Sequence, residues 1–361
     1  MVTPSRIQLA RERRAVTLAQ LSRTCGISQQ SLSRYENARA EPSAGTLAAI
    51  AAALRFPVAF FTAEDIEEVG SEAVAFRART KTSMRKQKAV RASAALGVQL
   101  RHWLAERFAL PEPDVPTLGR PAPDVAAEIV RSRWGLGEAA APNMVHLLEA
   151  HGVCVFSLDP EHEEVDAFSF WRDSTPYVFL STGKTAERGR FDAAHELGHL
   201  VMHGQERPLT GPDAEREANQ FASAFLMPRA DVLARMPSGA QVDQILKART
   251  IWRVSAMALT HRMHDLGLLS DWQYRSTCAQ LAELGYRRGE PDGIPRETSQ
   301  VLTKAFQRLR RTGVSAAQVA ADLHIPVEEL NTLLFGLAFT AREGAAARTA
   351  PPGPRARLRV L

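Results

Sequence analysis

A chain of 361 residues has room for two or three domains, and its 45% hydrophobic content supports real cores. No apolar run approaches the about 18 residues that a membrane helix needs. The opening residues, Met1 to Arg6, lack the apolar stretch of a signal peptide, and Cys25, Cys154 and Cys278 stand far apart without a Cys-x-x-Cys motif. These features point away from a membrane or disulfide-built protein and lead us to expect reduced thiols in the cytoplasm. The net charge of +5 is unevenly spread. Residues 1–62 carry 8 Lys/Arg against 3 Asp/Glu, residues 77–108 carry 9 against 1, and residues 111–240 carry 11 against 20. The basic end suits a polyanion and the acidic middle does not.

The first segment, 1–62, is expected to form short helices. One covers Ser5 to Arg14. Thr17-Leu-Ala-Gln20 has the form of a capping box, with Thr17 bonding forward and Gln20 bonding back. It opens a helix through Thr24. Gly26 then tolerates the positive φ of a tight turn. Ser28 caps the next helix, Gln29 to Asn37, and Ser43 caps another carrying Leu47, Ile50 and Leu54 on one face. Leu18, Leu21, Ile27, Leu32 and Tyr35 are the expected core. Gln29, Gln30, Ser33 and Arg34 point elsewhere on the second helix, where Gln pairs with adenine and Arg with guanine or phosphate. This is the length and order of a helix-turn-helix that reads a major groove. The run from Thr17 to Ser22, Gly26-Ile-Ser28, Leu32 to Asn37 and Glu41-Pro-Ser43 resembles the XRE (lambda-repressor-like) family over roughly residues 5–62. The resemblance implies binding of double-stranded DNA through the helix from Ser28. Palindromic operators usually recruit two such units, so a homodimer is one expectation.

Residues 63–110 are expected to be a basic connecting helix or linker. The helix runs from Ser83 to Phe108, with Val90, Leu96, Leu100, Trp103 and Leu104 at helical spacing. Pro111, Pro113, Pro116, Pro121 and Pro123 mark a boundary. The acidic segment 111–240 begins with helices near Val125 to Trp134 and Met144 to His151. Strands follow at Val153 to Leu158, Ala167 to Trp171 and Tyr177 to Ser181.

The most informative stretch is Phe191-Asp-Ala-Ala-His195-Glu196-Leu-Gly-His199-Leu-Val-Met-His203. Two histidines four apart lie on one helix face and can hold one metal ion. Neutral imidazoles suit Zn²⁺. Glu196 is placed to take a proton from a water that the metal activates. This is the zinc-hydrolase helix signature. Catalytic zinc needs a third protein ligand. The next helix, from Asp213 to Met227, offers Glu215, which shares a face with Asn219. Glu217 points to another face, and a small boundary shift exchanges the two. Asn219 is expected to orient a ligand from outside the inner shell. His203 is expected beside the site or against substrate, because the helix face drifts about 40° per four residues.

The His195 stretch, followed by Glu215-Arg-Glu-Ala-Asn219 and onward to Met227-Pro228, resembles the ImmA/IrrE metallopeptidase family, roughly over residues 111–240. In that family, XRE domains fused in front are a known arrangement. The resemblance implies a gluzincin-like zinc site with His195, His199 and Glu215 as ligands and Glu196 as base. It also implies a repressor-type protein substrate, cut in response to stress or mobile-element signals.

Residues 241–290 are expected to be a helical extension and 291–340 a C-terminal helical region. Ser315 and Gln318 suggest another capping box in the outline of a second helix-turn-helix. Its presumed second helix, from Pro326, is acidic at Glu328 and Glu329, which points to packing rather than DNA. The tail 341–361 is expected to be disordered. The fold class is α+β: an N-terminal all-α helix-turn-helix domain, a small-sheet-plus-helices zincin-like domain, and a mostly helical C-terminal region. Three functions fit the sequence. The chain is an active endopeptidase brought to its substrate by DNA binding, a transcription factor whose metallo-domain only senses metal or a signal, or one half of a gene pair and its own substrate. The intact Glu196 favours the first.

Overall fold

The computed structural model describes residues 1–66, 69–70, 83–119, 121–158, 165–204, 211–287, 289–335 and 356–357. The chain opens with α1 (Pro4–Arg13), α2 (Leu18–Cys25), α3 (Gln29–Glu36) and α4 (Ala44–Leu54), closed by a 3₁₀ turn at Val58–Thr62. The Thr17 hydroxyl accepts the Gln20 N–H at 3.2 Å, and the Gln20 side-chain oxygen accepts the Thr17 N–H at 2.8 Å. That reciprocal pair starts α2 by satisfying two amides that the helix cannot. Gly26 ends α2 at φ 73°, a left-handed conformation that a side chain would strain. Ser28 and Ser43 cap α3 and α4. Ile7, Leu21, Leu32, Ile50, Leu54, Phe60 and Phe61 are buried at the centre, while Leu18, Ile27 and Tyr35 pack at its edge. Arg11 grips Glu36 through two bonds of 2.6 and 2.8 Å, so the last turn of α3 is pinned to α1.

The expected connecting helix is a core element. In α5 (Met84–Arg107) the residues from Ala89 to Leu104 are buried except at a few positions. It packs on α1, where Lys88 meets Glu12 at 2.9 Å. It also lies on the sheet: a methyl group at Gly97 would stand 2.7 Å from the Phe179 ring. Glycine is needed at Gly97 for that approach. The chain then passes through β1 (Phe108–Ala109), α6 (Pro123–Arg133) and α7 (Met144–Ala150) into β2 (Cys154–Leu158), β3 (Ala167–Arg172) and β4 (Thr175–Ser181).

The three strands are ordered β2-β4-β3, with β2 parallel and β3 antiparallel to β4. Side chains alternate between faces with period two. Phe156, Phe168, Phe170, Tyr177 and Phe179 join the core shared with α5 and the helix-turn-helix. Val155, Ala167, Val178 and Leu180 face the other way, into a second core. There α8 (Ala186–Met202) packs on β3 and β4, and α9 (Pro212–Leu226) packs on α8. Gly198 allows the close α8–α9 contact, since a methyl group there would meet the Phe221 ring at 3.0 Å.

The helices α10 (Arg229–Arg235), α11 (Val242–Trp252), α12 (Ala256–Asp265) and α13 (Asp271–Glu283) complete this second core. An extended segment then returns along α8. Glu187 accepts the Ile294 N–H at 2.7 Å, and the fully buried Arg190 meets Glu297 at 2.7 Å. The chain continues through α14 (Gln300–Arg311), α15 (Ala316–Asp322) and α16 (Val327–Leu333), which pack into the first core. Half of the expected capping box at Ser315 forms: its hydroxyl accepts the Gln318 N–H at 3.1 Å, while the Gln318 side chain turns to Asp322 at 2.9 Å. Glu329 is buried against Arg13 and Arg14 of α1, so the acidic helix packs. Most of the tail 341–361 lies outside the described residues. Within it, β5 (Ala356–Arg357) pairs parallel with β1. Among the described residues no helix is long and apolar enough to cross a membrane.

Candidate metal centre and DNA-reading face

His195, Glu196 and His199 sit in the middle of α8, pressed between the sheet and α9. The His195 and His199 Nε2 atoms are 3.0 Å apart. Glu215, in the first turn of α9, places one carboxylate oxygen 3.4 Å from His195 Nε2 and the other 3.4 Å from His199 Nε2. One ligand atom from each of the three residues lies within 4.8 Å of the others. Two imidazoles and a carboxylate converging on one point form a donor set that suits Zn²⁺ with one coordination position left over.

The outer nitrogens of both imidazoles are engaged. Asn219 Oδ1 lies 3.1 Å from His195 Nδ1. His199 Nδ1 lies 2.8 Å from His203 Nδ1, and His203 Nε2 lies 3.1 Å from Glu217. A carboxylate accepts only, so Glu217 takes the His203 Nε2–H. His203 then accepts from His199 through Nδ1. Both chains leave the inner Nε2 lone pairs of His195 and His199 directed at the shared point. Glu215 and Glu217 therefore occupy different places: the first meets the histidine pair and the second meets His203.

Glu196 is 1% exposed. Its Oε2 accepts the Ser169 hydroxyl at 2.7 Å, and its Oε1 has no hydrogen-bond partner among the described residues. Burial pushes the carboxyl up to about 7, against the opposing pull of His199 and the Ser169 hydroxyl. Sequence reasoning misses Ser169. Its one signal is a hydroxyl at an inward position of a strand whose neighbours are Phe and Trp. A cleft of about 1320 Å³ adjoins Glu215 and Asn219, with Phe191, Met257, Tyr274 and Tyr286 along its walls. It exceeds the about 300–1,000 Å³ usual for small-molecule sites.

On α3, Gln29, Gln30 and Arg34 are exposed, and Ser33 is half-buried beside them. Ser33 also receives the α3 cap through its carbonyl, which accepts the Asn37 backbone and side-chain N–H groups.

Comparison with known proteins follows the same division. A helix-turn-helix family model matches residues 7–61, and a model described as the IrrE N-terminal-like domain matches residues 148–264. The second match begins and ends later than the expected 111–240 and takes in α11 and most of α12. A search of the curated proteins finds no match to the chain. The chain is thus a fusion of an XRE-type helix-turn-helix with an IrrE-like domain of a metallopeptidase family.

Proposed function

We propose that this fusion is a cytoplasmic DNA-binding regulator whose zinc-dependent endopeptidase domain cleaves a repressor protein in a stress or mobile-element response. The convergence of His195, His199 and Glu215 beside a buried carboxylate carries the proposal. In this reading the two Nε2 atoms and the Glu215 carboxylate hold Zn²⁺, while Asn219 and the His203–Glu217 pair orient the imidazoles. Zinc bound there supplies Lewis acidity, which makes a water a nucleophile near neutral pH and polarises the scissile carbonyl. Glu196 takes the proton of the attacking water and passes it to the leaving amine. Ser169 keeps one oxygen of that carboxylate fixed, so the other remains available for the transfer. The cleft along α9 and α12 receives the polypeptide. Gln29, Gln30, Ser33 and Arg34 contact duplex DNA, with a second copy engaged where the operator is palindromic.

The direct experiment incubates zinc-loaded full-length protein with repressors encoded nearby, with and without a chelator. A discrete product that disappears with chelator is expected. Intact repressor in both samples would refute the endopeptidase reading. A second reading makes the chain a non-proteolytic transcription factor whose metallo-domain senses a metal or signal. It draws support from the single apolar core that joins the helix-turn-helix to the sheet beneath the metal helix.

A further inference from the structure

Helix α16, the last among the described residues, touches both the helix-turn-helix and the sheet through buried polar contacts. At its start, Glu329 is 4% exposed and holds Arg13 through Nε at 2.7 Å and Arg14 through Nη1. Arg13 is the last residue of α1 and Arg14 caps it. Two residues before Arg13, Arg11 pins the end of α3 through Glu36. The Arg14 guanidinium also donates to the Leu54 carbonyl at 2.8 Å and the Arg55 carbonyl at 3.2 Å, so the α4 end is held by the same side chain. At the other end of α16, the Ser157 hydroxyl donates to the Thr332 carbonyl and accepts the Phe335 N–H. Ser157 belongs to β2, the strand parallel to β4. The same face of that sheet, with Val155, Ala167, Val178 and Leu180, carries Ser169, which holds Glu196.

We propose that α16 is a coupling helix through which the sheet of the IrrE-like domain sets the DNA affinity of the helix-turn-helix. A buried carboxylate shared by two arginines tolerates little displacement, because each guanidinium stranded without it keeps a desolvated charge. A shift of β2 is therefore passed through α16 to the α1 turn, and from there through Arg11 and Glu36 to α3. Coupling of this kind is a free energy between two sites and has to be measured as one. The proposal requires the helix-turn-helix to bind duplex DNA, but it does not depend on zinc or on peptidase activity.

A double-mutant cycle on full-length protein tests it, using an operator duplex selected by the wild-type chain and fluorescence anisotropy at fixed salt. Glu329→Gln and Ser157→Ala are each expected to weaken duplex binding by about three- to tenfold, and the double variant to be no weaker than the weaker single. Amide exchange should rise in α1 and α3 in both single variants while α6 and α9 keep wild-type protection. If Glu329→Gln loses protection throughout, Arg13→Lys repeats the cycle at the same contact with the charge retained. Ser157→Ala protein that binds DNA as wild type does, or a double variant whose losses simply add, would overturn the coupling. Failure of wild-type protein to bind any duplex would instead remove the DNA-binding reading on which the cycle rests.

Discussion

On α3, Gln29, Gln30 and Arg34 stand outside the core, and Leu32 alone is buried. On α8 the order is reversed: the run from Asp192 to Met202 is buried throughout, polar groups included. A face that reads DNA exchanges water for base edges and phosphates, so its side chains wait in solvent on a frame built from other residues. The hydrolytic centre proposed for α8 would have to hold its groups at fixed separations with water controlled, and His195, Glu196 and His199 are each held by a neighbour. Changing the first surface should alter recognition and leave the frame. Changing the second should remove the site, and in some positions strain the packing around it.

The largest break in this comparison is expected on α8. His195→Ala or His199→Ala removes half of the imidazole pair, and elemental analysis should find no bound metal in a protein that still binds duplex. Glu215→Ala should lower metal content more than Glu217→Ala, because Glu215 meets both Nε2 atoms whereas Glu217 meets only His203. The reverse order would make Glu217 the third ligand.

Packing gives a smaller and sharper contrast. Gly97→Ala drives a methyl group into the Phe179 ring, and overpacking of this kind costs about 1–3 kcal/mol. Gly45, in α4, has open space around its missing side chain. Gly45→Ala should stabilise by up to about 1 kcal/mol through helix propensity. Thermal unfolding should therefore shift in opposite directions. A Gly97→Ala protein as stable as wild type would contradict the close packing of α5 on the sheet.

The smallest effects on the molecule itself belong to α3. Gln29→Ala and Gln30→Ala should leave the unfolding temperature unchanged and reduce discrimination between operator sequences, by about 1–3 kcal/mol for each bidentate pairing with a base that the substitution removes. Non-specific affinity should be nearly kept and should still fall steeply with salt. An equal weakening on all duplexes would assign these side chains to the DNA backbone instead.

What can be read from the sequence is local. Thr17 and Gln20, Ser28, Ser43 and the His195–His199 spacing each carry their geometry within a few residues, and the helix and strand positions follow from them. The carboxylate that meets the histidine pair is legible to within one alternative, because Glu215 and Glu217 stand two positions apart on α9 and only its rotation against α8 separates them. Ser169 and the pairing of His203 with Glu217 depend on which elements meet, and no local pattern encodes that. The role of α5 is obscured for a different reason. Its alanines at 89, 92, 94 and 95 are buried alongside Val90 and Leu96. Small residues around much of the circumference blur the apolar stripe by which a packed helix is recognised, and the basic start at Arg85, Lys86 and Lys88 suggests a solvated spacer. The acidic start of α16 points away from DNA, but nothing local marks Glu329 rather than Glu328 as the buried one, because its partners Arg13 and Arg14 lie more than 300 positions away.

The central claim is that α8 and α9 form a working zinc-peptidase centre in a DNA-binding chain, and Glu196→Gln examines it most directly. The substitution keeps the shape and removes the base. Zinc content, duplex affinity and repressor cleavage should be measured on the same preparation. The account predicts full zinc, wild-type DNA binding and cleavage slowed by about 10²- to 10⁴-fold, the usual contribution of a general base. Cleavage by Glu196→Gln protein at the wild-type rate would contradict it.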